Sequence, residues 1–197
     1  MENVRKKYDI IYADPPWQYK VWSKKGAGRS AESHYSTQSQ EYLKNMDIGC
    51  LCKEDCTLLM WATFPCIQYA LELGIAWGFT YKTVAFTWIK KNIKNDRLFM
   101  GMGYYTRANA EVVLLFTKGK ALSREAKNIP QVLISKRGKH SEKPDEIRKR
   151  IVQLFGNVSR LEMFARDNHY SLHNNPLTGW DVFGNEVNNS IEIPMVK

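Results

Sequence analysis

The tetrapeptide Asp-Pro-Pro-Trp at residues 14–17 constrains this chain more than any other stretch of its sequence. It directly follows an apolar run at residues 8–13, whose length and β-branched content are typical of a buried strand. Neither proline has an N–H to donate, so the strand must end there and the chain must turn stiffly. In open α/β sheets, ligands bind beyond the carboxyl ends of the strands. The motif therefore sets an acid, two carbonyl acceptors and an indole at the place where such folds bind ligands.

The groups of this motif suit a substrate that presents an amine. The carboxylate of Asp14 only accepts hydrogen bonds, and Pro15 and Pro16 add carbonyl acceptors without donors. Trp17 offers an apolar face on which a planar ring could stack. An exocyclic amine on a nucleobase meets both demands, and acceptors that hold its two hydrogens favour a tetrahedral nitrogen with a free lone pair. The alternative interpretation is a proline-terminated strand followed by an ordinary surface aspartate.

The length of 197 residues predicts a single domain over residues 1–197. The formal net charge of +9 indicates a polyanionic partner, most simply nucleic acid, although charge alone fits a merely basic protein equally well. The cysteines lack zinc-finger spacing, so we expect reduced thiols and no metal site. The sequence shows no signal peptide and no apolar run of membrane length, so we expect a cytoplasmic protein, or a nuclear one in a eukaryote.

The order of elements predicts an α/β fold. After the first strand we expect strands near residues 56–62, 81–90, 111–116, 131–135 and 159–165, and helices near 39–46, 64–77 and 144–155, with residues 180–186 closing the fold. The early alternation of strand and helix indicates a mostly parallel central sheet flanked by helices. We expect the tail at residues 187–197 to be held loosely.

Three stretches concentrate positive charge. The segment from residue 18 to residue 38 leaves the motif directly and contains glycines, and we interpret it as a lid, with a plain insertion as the alternative. The loops at 90–97 and 136–143 suit contacts with a nucleic-acid backbone, with a solvated charge run as the alternative. The residues expected to make backbone contacts are Lys24, Lys25, Arg29, Lys90, Lys91, Lys94, Lys136, Arg137 and Lys139.

A second polar cluster is expected near the end of the chain. Lys143 precedes the helix that Pro144 opens, and anions bind well at a helix N-terminus. A substrate carboxylate or phosphate could bind there. The strand near residues 159–165 is followed by the polar stretch 166–169, again at a carboxyl end.

Taken together, the motifs resemble those of the DPPW-type adenine methyltransferases, the family of the catalytic subunit that methylates adenosine in messenger RNA, with many small bacterial and phage members. The resemblance covers residues 8–186. It rests on an ordered series: DPPW at 14–17, HYST at 34–37, LMWAT at 59–63, GYYTR at 103–107, SEKPDE at 141–146, LEMFAR at 161–166, and GW at 179–180 with GNE at 184–186.

The resemblance implies a Rossmann-like class I methyltransferase fold in permuted order, with the catalytic motif ahead of the cofactor-binding strand, and S-adenosylmethionine (S-adenosyl-L-methionine) as methyl donor. It implies a catalytic motif formed by Asp14, Pro15, Pro16 and Trp17, in which Asp14 and Pro15 hold the target amine. It implies that Trp17 and Tyr35 flank the base. The donor contacts that it implies are Asp14, Lys143, Arg166, Asn168, His169, Asn185 and Glu186.

We therefore expect a methyltransferase that acts on the exocyclic amine of adenine in nucleic acid, with DNA favoured over RNA. The alternatives are adenine methylation in RNA, cytosine amino-methylation in DNA and a non-catalytic nucleic-acid binder with this fold. A dinucleotide-dependent oxidoreductase is disfavoured, because the GMG at residues 101–103 lacks the third glycine of the fingerprint. We expect no membrane partner, and both a monomer and a homodimer fit the sequence.

Overall fold

The computed structural model of the chain describes residues 6–17, 38–138, 142–165 and 179–196. Several of the expected site residues lie outside these ranges, and their assignments stay predictions: Lys24, Lys25, Arg29, Tyr35, Lys139, Arg166, Asn168 and His169.

The described residues form one seven-stranded sheet with three α-helices. In chain order the elements are β1 (Tyr8–Ala13), α1 (Gln40–Lys44), β2 (Cys52–Ala62), α2 (Ile67–Ala76), β3 (Thr80–Lys91), β4 (Ala110–Lys118), β5 (Val132–Lys136), α3 (Asp145–Phe155), β6 (Arg160–Met163) and β7 (Asp181–Phe183). The strand order across the sheet is β5-β3-β4-β2-β1-β6-β7.

Six of the seven described strands run in the same direction, which confirms the mostly parallel sheet. The pairs β1–β2, β1–β6, β6–β7 and β3–β5 are parallel. The strand β4 runs against both of its neighbours, β2 and β3. The connection from β3 to β4 contains no helix, and a parallel pairing would need a crossover. The sheet is therefore mixed, and the amino end of β4 lies at the edge where the other strands end.

Both faces of the sheet are covered. Side chains of β1 alternate between two apolar clusters: Ile11 packs in the cluster that contains α2 residues, and Ile10 in the one that contains α3 residues. This alternation follows from the two-residue period of a strand. The result is a sheet between helical layers, as expected for an α/β fold.

The helices begin where the sequence predicts, with small differences. Ser39 caps α1 by accepting a hydrogen bond from the backbone N–H of Tyr42 at 3.1 Å. A 3₁₀ turn that contains Pro65 precedes α2, so the α-helix itself begins three residues later than predicted. Pro144 stands at the N-cap of α3, and Gly156, with a φ of 69°, ends it.

The expectation of a loosely held tail was wrong for residues 187–196. The side chains of Ile191 and Ile193 pack against the core, and the backbone N–H of Val196 donates to the carbonyl of Asn45 at 2.7 Å. Two apolar side chains at alternate positions, together with open acceptors at the end of α1, are enough to hold the tail in place. No helix in the described ranges has both the length and the apolar character that a membrane crossing needs.

We predict that Gly74→Ala destabilises the protein, although alanine is ordinarily the better helix former by about 1 kcal/mol. Gly74 is buried on α2, and an added Cβ would overlap the fully buried ring of Phe116. Overpacking of this kind costs about 1–3 kcal/mol, so the free energy of unfolding should fall by about 1–2 kcal/mol in urea denaturation. Ile75→Ala, at a neighbouring side chain that is 65% exposed, is the control and should change it by less than about 0.5 kcal/mol. Unchanged or raised stability of Gly74→Ala would contradict the packing argument.

Candidate active site

The candidate site lies along the carboxyl edge of the sheet. Asp14 follows β1, while Lys91 and Lys136 end β3 and β5. Because β4 runs the other way, Glu111 near its amino end reaches the same edge. Lys143 arrives there from the start of α3. The topology thus gathers charged groups that are far apart in sequence.

The turn after β1 is held by its own backbone. The N–H of Trp17 donates to the carbonyl of Pro15 at 2.8 Å, and the N–H of Gln38 donates to that of Pro16 at 3.2 Å. The sequence identifies the two proline carbonyls only as acceptors. In the structure each of them already accepts one backbone hydrogen bond. Each oxygen has two lone pairs, so each can still accept one further hydrogen bond.

Trp17 is buried, in contrast to the expectation that its face is open for stacking. The side chain is 5% exposed and belongs to the apolar core, and its indole N–H donates to the carbonyl of Trp61 at 3.3 Å. The stiff turn directs the ring back over the end of β2, where the indole finds both apolar contacts and an acceptor. In this position Trp17 fixes the turn that presents Asp14, and its contact with a base stays a prediction.

Four charged side chains form a continuous series at the centre of the edge. Nζ of Lys143 lies 2.8 Å from Oδ2 of Asp14 and 3.5 Å from Oε2 of Glu111. Glu111 in turn pairs with Lys90. The side chain of Asp14 is 30% exposed, against 12–18% for the other three, so the series opens to solvent at Asp14.

Glu111 is the buried centre of this series. Burial would raise the pKa of its carboxyl, but Lys143 and Lys90 beside it hold that pKa below the ordinary value. Its Oε2 atom makes no hydrogen bond among the described residues. The carboxylate is thus kept ionised in a buried place, where Nζ of Lys143 lies 3.5 Å from Oε2.

The start of α3 is tied to the sheet by a buried ion pair. Arg148 donates from Nε to Oε2 of Glu162 on β6 at 2.7 Å, and its Nη2 bonds the other carboxylate oxygen. A third donor, Nη1, reaches Oδ1 of Asp145 at 2.8 Å. Glu162 lies opposite Tyr12 of β1 in the sheet. The Arg148–Glu162 pair therefore fixes the start of α3, and with it Lys143, relative to the strand that leads to Asp14.

The strands β6 and β7 end close together. Phe164 follows β6 with a φ of 63°, a conformation that bulky side chains rarely adopt, and this ends the strand two residues before the prediction. A Cβ at Gly184 would collide with the carbonyl oxygen of Ala165, so only glycine allows this approach. Asn185 and Glu186 follow directly and are exposed at the same edge.

The basic residues of the edge differ in their availability. The side chains of Lys94 and Lys136 are exposed to solvent. Nζ of Lys91 lies 3.8 Å from Oδ1 of Asp96. Lys90, in contrast, is committed to Glu111, and its Nζ lies 4.9 Å from the ring of Trp88. Lys90 thus balances a buried carboxylate, and its contact with a nucleic-acid backbone stays a prediction.

Arg137 is also partly occupied, since its guanidinium stacks 4.2 Å from the ring centroid of Phe99. Sequence reasoning missed Glu111 and Trp61, whose ring lies 5.4 Å from Nζ of Lys143. The helix-free connection between β3 and β4 was the signal that could have placed Glu111 at this edge. Within the described ranges, no three His, Cys, Asp or Glu side chains come together as metal ligands.

Comparison with known proteins finds one matching family model and several similar methyltransferases. The MT-A70 family model matches residues 8–186. The type II methyltransferase M.MunI of Mycoplasma sp is 38% identical over 207 residues, which cover 96% of this chain and 82% of that protein.

More distant similarity extends to larger proteins. The N(6)-adenosine-methyltransferase MT-A70-like of Arabidopsis thaliana is 26% identical over 184 residues. The N(6)-adenosine-methyltransferase catalytic subunit METTL3 of Homo sapiens is 24% identical over 182 residues. Each alignment covers 92% of this chain, but only 24% and 28% of those two proteins. The chain thus spans about a quarter of their length.

We predict that Glu111→Gln lowers stability in a pH-dependent way. The pKa of Glu111 is depressed in the folded state, so its ionised form stabilises the fold above the unfolded value near 4.5, and this is lost as the pH falls through the folded value. At neutral pH the variant should be less stable by about 1–3 kcal/mol, and the deficit should shrink as the pH falls from neutral to below the unfolded value. Urea denaturation across this range measures it, with the exposed Glu54→Gln as control. A deficit that stays constant with pH would contradict the role of the carboxylate charge.

Proposed function

The chain belongs to the MT-A70 family, and from this membership and the geometry of the site we propose that it transfers a methyl group from S-adenosylmethionine to the exocyclic amine of adenine in nucleic acid. The observation that carries the proposal is the ion pair between Asp14 and Lys143 at the carboxyl edge. Two opposite charges stand side by side there, at the partly exposed end of the series.

The residues of the edge fit the methyl donor. When bound, S-adenosylmethionine supplies a methyl group activated by a sulfonium centre, and its amino-acid end carries one carboxylate and one ammonium. Lys143, at the start of α3, would bind the carboxylate where the helix N-terminus also favours an anion. Asp14 would then exchange Lys143 for a new cationic or amine partner. With the ammonium of the donor as this partner, Asp14 would keep a counterion, which keeps the cost of the exchange low.

We propose that the remaining donor contacts come from both neighbouring strand ends. Arg166, Asn168 and His169 follow β6 in the chain, and Asn185 and Glu186 follow β7. In this arrangement the catalytic turn after β1 precedes the donor-binding strand β6 in sequence but lies beside it in the sheet. This arrangement supports our proposal of a Rossmann-like methyltransferase in the permuted order.

The target amine would be held by acceptors of the turn. Asp14 and the second lone pair of the Pro15 carbonyl would take its two hydrogens, which favours a tetrahedral nitrogen with its lone pair directed at the methyl group. Asp14 would also stabilise the positive charge that develops on this nitrogen, so positioning and electrostatics carry the catalysis. Tyr35 would contact the base, with Trp17 supporting the turn beneath it.

DNA is the substrate that we favour. The relative named as a type II methyltransferase matches over 82% of its own length, whereas the N(6)-adenosine-methyltransferases match over about a quarter of theirs. Lys91, Lys94 and Lys136 at the edge would contact phosphates, together with Lys24, Lys25, Arg29 and Lys139. A base inside a duplex would have to be flipped out, at a cost of a few kcal/mol. Adenine in RNA and cytosine in DNA are the alternative substrates for the transfer assay.

We predict that Asp14→Asn abolishes most methyl transfer. Loss of the acceptor charge beside the amine should lower the rate by about 10²–10³-fold, while donor affinity changes less. The measurement is transfer of labelled methyl from S-adenosylmethionine to adenine-containing DNA and RNA, and to cytosine-only controls. Lys120→Met, at an exposed side chain, should retain wild-type activity. Absence of transfer by the wild-type protein to every substrate would refute the proposed function, and full activity of Asp14→Asn would refute the mechanism.

We predict that Lys143→Met weakens donor binding about tenfold or more, because a charge-assisted contact with the donor carboxylate is lost. Calorimetry with S-adenosylmethionine measures this affinity, and Lys120→Met is again the control. Binding of nucleic acid by the same variant should change by less than about threefold. An unchanged donor affinity would contradict the role of Lys143 in donor binding and leave it only its ion pair with Asp14.

A further inference from the structure

The most exposed aromatic side chains among the described residues lie on the connection between β3 and β4. Tyr105 is 92% exposed and Tyr104 is 76% exposed. We call residues 92–109 the arm. Met100 and Met102 on the same arm are 70% and 63% exposed. The arm therefore presents apolar and aromatic surface that the fold itself does not bury, a feature that marks interaction sites.

The arm is a folded element with its own backbone hydrogen bonds. The N–H of Phe99 donates to the carbonyl of Lys90 at 2.8 Å, and the N–H of Gly101 donates to that of Ala108 at 2.8 Å. At the tip, a Cβ on Gly103 would collide with the carbonyl oxygen of Thr106, so the turn requires glycine. The two tyrosines are thus presented by a tight, hydrogen-bonded turn.

The base of the arm is continuous with the candidate site. Lys90 and Glu111 flank the arm and pair with each other, and Glu111 lies 3.5 Å from Lys143. Phe99 packs under the guanidinium of Arg137 at the end of β5. A ligand that reaches Asp14 therefore lies at the same edge of the sheet from which the arm projects.

The charge of the arm favours a polyanion. It carries Lys94, Arg97 and Arg107 against the single acidic residue Asp96. A second copy of this chain, with a net charge of +9, would bring like charges together at such a contact. Flat rings among cations are the combination that binds unpaired nucleic acid, since bases stack on the rings while phosphates meet the cations.

We propose that Tyr104 and Tyr105 form a stacking site for unpaired bases of the nucleic acid next to the target base. The two rings contact each other edge to face, with centroids 4.8 Å apart and planes at 87°, so each can offer a face to a different base. The arm thereby binds the strand while the catalytic turn binds the target. The identity of this ligand as the substrate rests on the proposed function.

The test is the double variant Tyr104→Ala with Tyr105→Ala, measured by fluorescence anisotropy with a labelled single-stranded adenine-containing DNA. Its affinity should fall at least about fivefold, the lower end of the effect of losing one base–aromatic stack. Affinity for a fully paired duplex of the same sequence should fall less, because its bases offer no free faces. The double variant with Phe at both positions should stay within twofold of wild type, since stacking needs the ring and not the hydroxyl.

Three controls make the result decisive. Tyr42→Ala, at an exposed tyrosine on α1, should leave affinity unchanged. Circular dichroism and donor calorimetry should show that the alanine double variant is folded. Single-strand affinity within twofold of wild type would overturn the proposal, and so would sedimentation showing that the variant merely converts a dimer to a monomer. If the alanine double variant loses single-strand binding but the wild-type protein transfers no methyl, the stacking site is upheld and the proposed function is refuted. If the wild-type protein transfers methyl but the double variant binds single strands as well as the wild type does, the proposed function is upheld and the stacking site is refuted.

Discussion

The arrangement of the candidate site depends on the buried ion pair between Arg148 and Glu162. A pair of this kind gains little stability over apolar side chains, but it defines one relative position of the two elements that it joins. Here those elements are the first turn of α3 and the strand β6. With α3 fixed, Lys143 reaches Asp14, and Glu111 is left between two lysines. One contact below the surface therefore sets the geometry of the charges above it.

Local patterns predicted most of the fold. The apolar runs located six strands to within a few residues, and the helical spacing of Ile147 and Ile151 predicted α3 and its buried face. Lys143 was placed correctly at the start of that helix. The direction of β4 was not apparent from its own residues, because strand polarity is decided by the partner and the connection. Glu111 was missed for this reason.

Roles that depend on distant partners could not be read from composition. Trp17 was expected to present its ring, but the carbonyl of Trp61, 44 residues away, accepts its N–H inside the core. Lys90 was expected to contact nucleic acid as an exposed lysine, but its ammonium pairs with Glu111. In both cases the polar end of a largely buried side chain is satisfied by an acceptor from a distant part of the sequence. Net charge and motif order cannot reveal such choices.

The hydrogen bond from Gln38 to Pro16 has a consequence for how this scaffold can diversify. The chain leaves the edge of the sheet at Trp17 and is back beside Pro16 at Gln38, so the ends of the intervening stretch are joined independently of what lies between them. Closing a longer loop adds only about 0.6 kcal/mol per doubling of length. Insertions and deletions between these two points should therefore leave the strands undisturbed, because the hydrogen bond that joins the ends does not depend on the length between them.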